Sequence, residues 1–158
     1  MVRLVPMSEA EFQAYLAHAI PDYAQEHVTA GNWHPSEAMQ KAEKAFHQLL
    51  PEGLASKNQF LFSIEDEGLG SKVGLIWFAV QDTGPHPSAF IYDFLIFDDF
   101  RRRGYGTQAL SAVEDKVREL GLDTISLHVF GHNKAARGLY EKMGYEITHI
   151  NMSKKISV

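Results

Sequence analysis

Two unlike halves meet in this chain, and the junction between them limits the folds open to it. Residues 59–66 (QFLFSIED), 72–81 (KVGLIWFAVQ) and 89–97 (AFIYDFLIF) are rich in β-branched and aromatic residues and read as strands. The links between them, EGLGS and the Asp82–Pro87 stretch DTGPHP, have turn chemistry and are short, which favours antiparallel neighbours. Beyond residue 97 the pattern changes. Ala109, Leu110, Val113, Val117 and Leu120 mark one face of a helix over 106–120, with Gly121 as its stop. A strand at 124–130 (TISLHVF), a helix at 133–143 and a strand at 145–150 follow, with a last short strand in 151–158. An antiparallel block that runs into a β-α-β-α-β stretch implies one mixed α/β domain.

The first third adds a short strand at 3–7 and two helices. Ser8 stands three residues before Glu11 in a capping-box arrangement, so a helix should run toward Ile20, where Pro21 is expected to interrupt it. Ala38, Met39, Ala42, Ala45, Phe46 and Leu49 give 35–50 a helical spacing. The connection 21–34 (PDYAQEHVTAGNWH) is aromatic-rich and reads as irregular. At 158 residues, 45% apolar and 22% charged, the composition is that of one globular domain spanning 1–158. A net charge of −5 argues against a general nucleic-acid binder. No apolar run approaches a membrane span, and the first residues lack a signal-peptide layout, so the expectation is no membrane association and a cytoplasmic location. With no cysteine, a disulfide, a thiolate metal site and a cysteinyl intermediate are all excluded. None of the eight histidines forms H-E-x-x-H, and no metal is expected.

The segment 97–107 (FDDFRRRGYGT) carries the most chemistry. It joins a strand to a helix, its glycines allow close approach of backbone N–H groups, and the helix start adds partial positive charge. Arg101, Arg102 and Arg103 add forked donors suited to phosphate oxygens. A solvated basic turn is the plain alternative. A dinucleotide fingerprint is another, since Gly104-x-Gly106-x-x-Ala109 fits G-x-G-x-x-G/A with Asp123 as a ribose acid. Against it, Asp98 to Arg103 separate the strand from the glycines, and too little chain follows for a second half-sheet.

Arg101-x-x-Gly104-x-Gly106 resembles the Q/R-x-x-G-x-G/A acyl-CoA pyrophosphate loop of the GNAT superfamily of N-acetyltransferases. Downstream, LHVFGHNKAARGLYEKMGY over 127–145 resembles the second signature of that family, L-x-V-x-x-x-N-x-x-A-x-x-L-Y-x-x-x-G-F/Y, at every defined position. The detailed resemblance covers 89–150. It implies the GNAT acyl-CoA N-acyltransferase fold: a splayed central mixed β-sheet flanked by helices, opening where parallel strands 89–97 and 124–130 separate. It also implies acetyl-CoA as cosubstrate. A strand bulge would free backbone around Phe94, Leu95 and Ile96 for the pantetheine arm. The pyrophosphate would lie on the amides of Arg102, Arg103, Gly104, Tyr105, Gly106 and Thr107, beside Arg101. Asn133 and Ala136 would meet the cofactor arm, with Tyr140 as the acid that protonates the departing thiolate.

His128, on the strand before Asn133, is the candidate base, at a position where several family members carry a glutamate. A water relay, Tyr92 and Asp93 are the alternatives. Asp93 would be costly to bury unpaired, so it is either paired or functional. The acceptor pocket is expected from Tyr23, Glu26, His27, Trp33 and His34, with Trp77 or Phe78. Its aromatic and acidic mixture fits an amine, either a small molecule or a protein, attacked directly in a ternary complex. The other reading is a non-catalytic acyl-CoA-binding module on the same fold. The chain has no coiled-coil heptads, its late strands could exchange between subunits, and both monomer and homodimer stay open.

Overall fold

The computed structural model describes residues 1–82 and 84–157. Thr83, in the predicted turn 82–87, and Val158, at the end of the last predicted strand, lie outside the described residues. The order is β1 (Val2–Pro6), α1 (Glu9–Thr29), α2 (Pro35–Leu49), β2 (Gln59–Asp66), β3 (Ser71–Gln81), β4 (Ser88–Ile96), α3 (Tyr105–Glu119), β5 (Ile125–Leu127) and α4 (Lys134–Lys142). One sheet carries all five strands in the order β1-β2-β3-β4-β5. Every neighbouring pair is antiparallel except β4 and β5, which run parallel.

The long apolar run of β3 is explained by cover on both faces. Leu75 and Trp77 pack toward α1 and α2 with Phe12, Tyr15, Phe46 and Leu61. Ile76 and Phe78 point the other way, toward Leu110, Val113 and Val117 of α3. Successive side chains therefore enter opposite cores, and neither face of the strand is left to water.

Helix α1 starts as expected. The Glu11 N–H donates to Ser8 Oγ (3.1 Å), and the Ser8 N–H donates to Glu11 Oε1 (2.9 Å). It does not stop at Pro21, however, but continues to Thr29 and absorbs most of the stretch read as irregular. Proline removes the donor for the carbonyl of Ala17, yet both residues are exposed and water can serve that carbonyl. The turns beyond Pro21 are held by packing on α2, where Ala24, Ala38 and Ala42 meet under Tyr23, Val28 and Trp33.

The late strands also differ from expectation. Only Ile125–Leu127 of the 124–130 segment pairs with β4. Residues 145–157 form neither helix nor strand, so the strands expected at 145–150 and in 151–157 are absent from this structure. Strand chemistry is realised only where a partner edge is available.

Candidate active site

The sheet opens between β4 and β5. Their parallel ladder runs Ala89↔Ile125, Phe90↔Ser126, Ile91↔Leu127 and then ends. At this level β4 bulges: Trp77 faces Asp93 and Phe78 faces Ile91, which leaves Tyr92 as an extra residue. Phe94, Leu95 and Ile96 remain paired with Ile76, Leu75 and Gly74 on one side, while among the described residues no strand accompanies them on the other. The Phe94 N–H is given to Asp93 and the Ile96 carbonyl to Arg101, and the other main-chain groups along that edge are open to an extended ligand.

The loop at the top of β4 leads into α3. Arg102 has a left-handed backbone (φ 64) and so does Gly104 (φ 80), the residue before the helix. Alternation of this kind turns successive N–H groups toward one side, and the α3 N-terminus adds its own. The three arginines are not equivalent. Arg101 Nε donates to the Ile96 carbonyl (3.0 Å) and Nη1 pairs with Asp98 (3.1 Å), so this side chain braces the loop. Arg103 lies over the Phe100 ring at 5.7 Å. Tyr105 turns inward, its hydroxyl donating to Asp66 Oδ2 (2.5 Å), so it can offer a ligand only its backbone. Asp66 also closes the β2–β3 turn by accepting from the Gly68 and Leu69 N–H groups (2.8 and 3.2 Å). At Gly106 the motif does not reveal the neighbour: a Cβ there would sit 2.9 Å from Leu139 Cδ2 of α4, so that side-chain tip would have to shift.

Helix α4 borders the opening. Asn133 caps it, its Oδ1 accepting from the Ala136 N–H (3.3 Å). Arg137 pairs with Glu141 (2.9 Å) on an exposed face. Tyr140 is half-buried between Phe94 (6.4 Å) and Tyr145 (5.6 Å between ring centroids). Burial, then the Asp93 charge, pushes its phenol far above the usual tyrosine range, so it stays protonated at neutral pH.

On the α1 side stands a wall of rings. His27 stacks on Trp33 (4.0 Å) and meets Tyr23 (4.6 Å) and Phe130 (5.1 Å) edge-on. Desolvation, with the nearby His128, lowers the His27 pKa and favours the neutral imidazole. Behind the wall Asp93 is largely buried, accepting from the Tyr15 hydroxyl (2.8 Å) and the Phe94 N–H (2.9 Å). Its pKa is raised because desolvation outweighs those bonds, and Glu26 is raised by desolvation and by Asp93. Exposed His128 packs edge-on against Phe130 (5.0 Å), on the same side as His27.

Several predicted members of the pocket go elsewhere. Trp77 and Phe78 are buried in opposite cores, and His34 is the N-cap of α2, accepting from the Ser36 N–H (3.2 Å). The Tyr92 hydroxyl accepts from Gln81 Nε2 (3.0 Å) while its ring stacks on Trp77. Tyr15, Phe130 and Asp66 were missed. An aromatic residue at core spacing gives no sign that its hydroxyl serves a carboxylate 78 positions away.

The sequence profile of the acetyltransferase (GNAT) family matches residues 17–145. This chain belongs to that family. The uncharacterized N-acetyltransferase YycN of Bacillus subtilis is 40% identical over 157 residues, covering 98% of this chain and 99% of its own. Its crystal structure superposes with a TM-score of 0.93 over all of both chains. A second Bacillus subtilis relative, the uncharacterized N-acetyltransferase YdgE, is 36% identical over 97% of each chain.

The chain is therefore an acetyl-CoA-dependent N-acetyltransferase, with a five-stranded mixed sheet flanked by four helices. The residues present suit that cosubstrate: a main-chain edge on β4, a glycine loop that runs into the α3 N-terminus, and a protonated phenol against Phe94 of that edge. Among the described residues no helix is long and apolar enough to cross a membrane.

Proposed function

We propose that this acetyltransferase passes the acetyl group directly to the primary amine of a cationic acceptor, with Tyr140 as the acid and His128 as the base. The reading rests on the wall of Tyr23, His27, Trp33 and Phe130 with the carboxylates of Glu26 and Asp93 behind it. Aromatic faces and carboxylates favour an ammonium group, and the neutral His27 adds no opposing charge. An α-amine of pKa ~8 is about one-tenth neutral at pH 7, and an alkylamine of pKa ~10.4 only about one part in a few thousand, so the alkylamine needs a base most. His128 is exposed on the acceptor side and can take that proton.

The new C–N bond forms as the C–S bond breaks. The thiolate leaves with a proton from Tyr140, whose raised pKa keeps that proton available. Backbone N–H at the β4 opening, near Ile96, stabilises charge on the carbonyl oxygen. Pantetheine pairs with the main-chain groups of Phe94, Leu95 and Ile96 that Asp93 and Arg101 leave open, and the pyrophosphate is held by the amides of 102–107. Asn133 and Ala136 line the arm at the α4 start. Direct transfer is supported by the lack of any cysteine to carry the acetyl group.

The test is thiol release from acetyl-CoA against a panel of diamines, amino sugars, amino acids and peptide N-termini, with mass analysis of each acceptor. Release that requires one cationic amine class, with a 42 Da gain on it (acetyl for hydrogen), is expected. Release without any acceptor would refute the reading in favour of a hydrolase.

A further inference from the structure

Arg102 and Gly104 both hold left-handed backbone, φ 64 and φ 80. For arginine that conformation is costly and persists only where the surroundings fix it. The loop is fixed from two sides. Ahead of Arg102, Arg101 Nε donates to the Ile96 carbonyl (3.0 Å) and ties the loop to β4. Beyond Gly104, the Tyr105 side chain is buried in one cluster with Val2, Ile64, Val73 and Ala109. Its hydroxyl reaches out of that cluster to donate to Asp66 Oδ2 (2.5 Å). Asp66 is itself held in place. Its Oδ1 accepts from the Gly68 and Leu69 N–H groups, and its carbonyl accepts from the Gly70 N–H (2.8 Å). Phe100 stands edge-on to the Tyr105 ring (6.2 Å) and Arg103 lies over Phe100, so this guanidinium is seated from the same anchor.

We propose that Asp66, at the end of β2, is a positioning residue for acetyl-CoA: through the Tyr105 hydroxyl it holds the 102–107 loop in the form that receives the pyrophosphate. The inference rests on the reading of that loop as the pyrophosphate seat. Asp66 acts without meeting the cosubstrate. Apparent affinity falls with the fraction of molecules in the competent form, so a loop free to relax at Arg102 binds more weakly with every contact group still present. The effect belongs to the pyrophosphate end of the cosubstrate. The hydroxyl bond meets the loop, and not the main-chain edge at Phe94, Leu95 and Ile96 that takes pantetheine.

Calorimetric titration of the full chain with acetyl-CoA reads this without an acceptor. Tyr105→Phe keeps the ring and the β2–β3 turn, and should raise the dissociation constant about tenfold, the scale of one hydrogen bond to a charged group. Asp66→Ala should raise it at least as much. The two together should do no more than Asp66→Ala alone, because both cut one bond. Acetyl-pantetheine lacks the pyrophosphate and should bind Asp66→Ala as it binds the unsubstituted chain, as read by nuclear magnetic resonance titration. If Asp66→Ala does not fold, Tyr105→Phe carries the test. Unchanged acetyl-CoA affinity in Tyr105→Phe, with weaker binding in Gly104→Val, would overturn the proposal and leave the pyrophosphate reading standing. Unchanged affinity in Gly104→Val as well would take down that reading and the proposal with it. An equal loss for acetyl-pantetheine would make Asp66 a support of the fold and overturn the positioning role.

Discussion

Tyr15→Phe removes one oxygen from the molecule and takes one hydrogen bond from the largely buried carboxylate of Asp93. That carboxylate has two hydrogen bonds, from the Tyr15 hydroxyl at 2.8 Å and the Phe94 N–H at 2.9 Å. A hydrogen bond to a charged group contributes about 1.5–3 kcal/mol, and one between neutral groups about 0.5–1.5 kcal/mol. The loss should therefore depend on whether Asp93 is ionised. Its folded pKa lies above the unfolded value because desolvation outweighs both bonds, so the native state takes up this proton first as pH falls. Removing the Tyr15 bond, one of the influences that lower the pKa, raises it further. Above the folded pKa, where Asp93 is charged, the variant should lose about 1.5–3 kcal/mol, or roughly 3–12 °C in Tm at ~2–4 °C per kcal/mol. The deficit should shrink toward the neutral-bond value as pH falls through the folded pKa. Tyr15 itself does not complicate this, since its own pKa is driven upward. Urea unfolding of both proteins across a pH series, with the denaturant slope unchanged, measures the difference. A loss that stays equal across the whole series would refute an ionised, Tyr15-bonded Asp93.

Three further outcomes test the site. Tyr140→Phe should lower kcat by about 10²-fold, the lower end of the general-acid range, with little change in KM for acetyl-CoA; unchanged turnover would remove Tyr140 from the chemistry. Gly104→Val forces a β-branched residue into a backbone of φ 80 and should raise KM for acetyl-CoA more than it lowers kcat, as read from saturation kinetics. His128→Ala should lower kcat/KM for an alkylamine more than for an α-amine at the same pH, while an equal loss for both would assign the proton to water or to Glu26.

How far the sequence discloses the molecule varies along the chain. The segments 59–66, 72–81 and 89–97 carry their own β chemistry, their partners lie one turn away, and their pairing needs little else. The second signature is equally local, since Asn133 and Tyr140 sit on one short helix. Pro21 misleads because its local rule is overridden by alanines on another helix, and no window around residue 21 contains Ala38 or Ala42. The segment 145–150 misleads for the opposite reason: its local pattern is that of a strand, but the edge it would need is not beside it. The site residues that escape notice do so by distance. Asp66 meets Tyr105 across 39 positions, and Phe130 meets His27 only once the sheet has brought α1 over the end of β5.

The alanine seat beneath the second half of α1 sets how the aromatic wall behaves over time. Ala24, Ala38 and Ala42 bury little apolar area, whereas Trp77, Phe78, Ile76 and Leu110 anchor the sheet with large side chains. Opening free energy follows such packing, so the corner carrying Tyr23, His27 and Trp33 should exchange its amide hydrogens well before β3 does. On the proposed function, transient parting of two helix ends would admit amines of different bulk, while the strand edge and the glycine loop would keep the thioester in register.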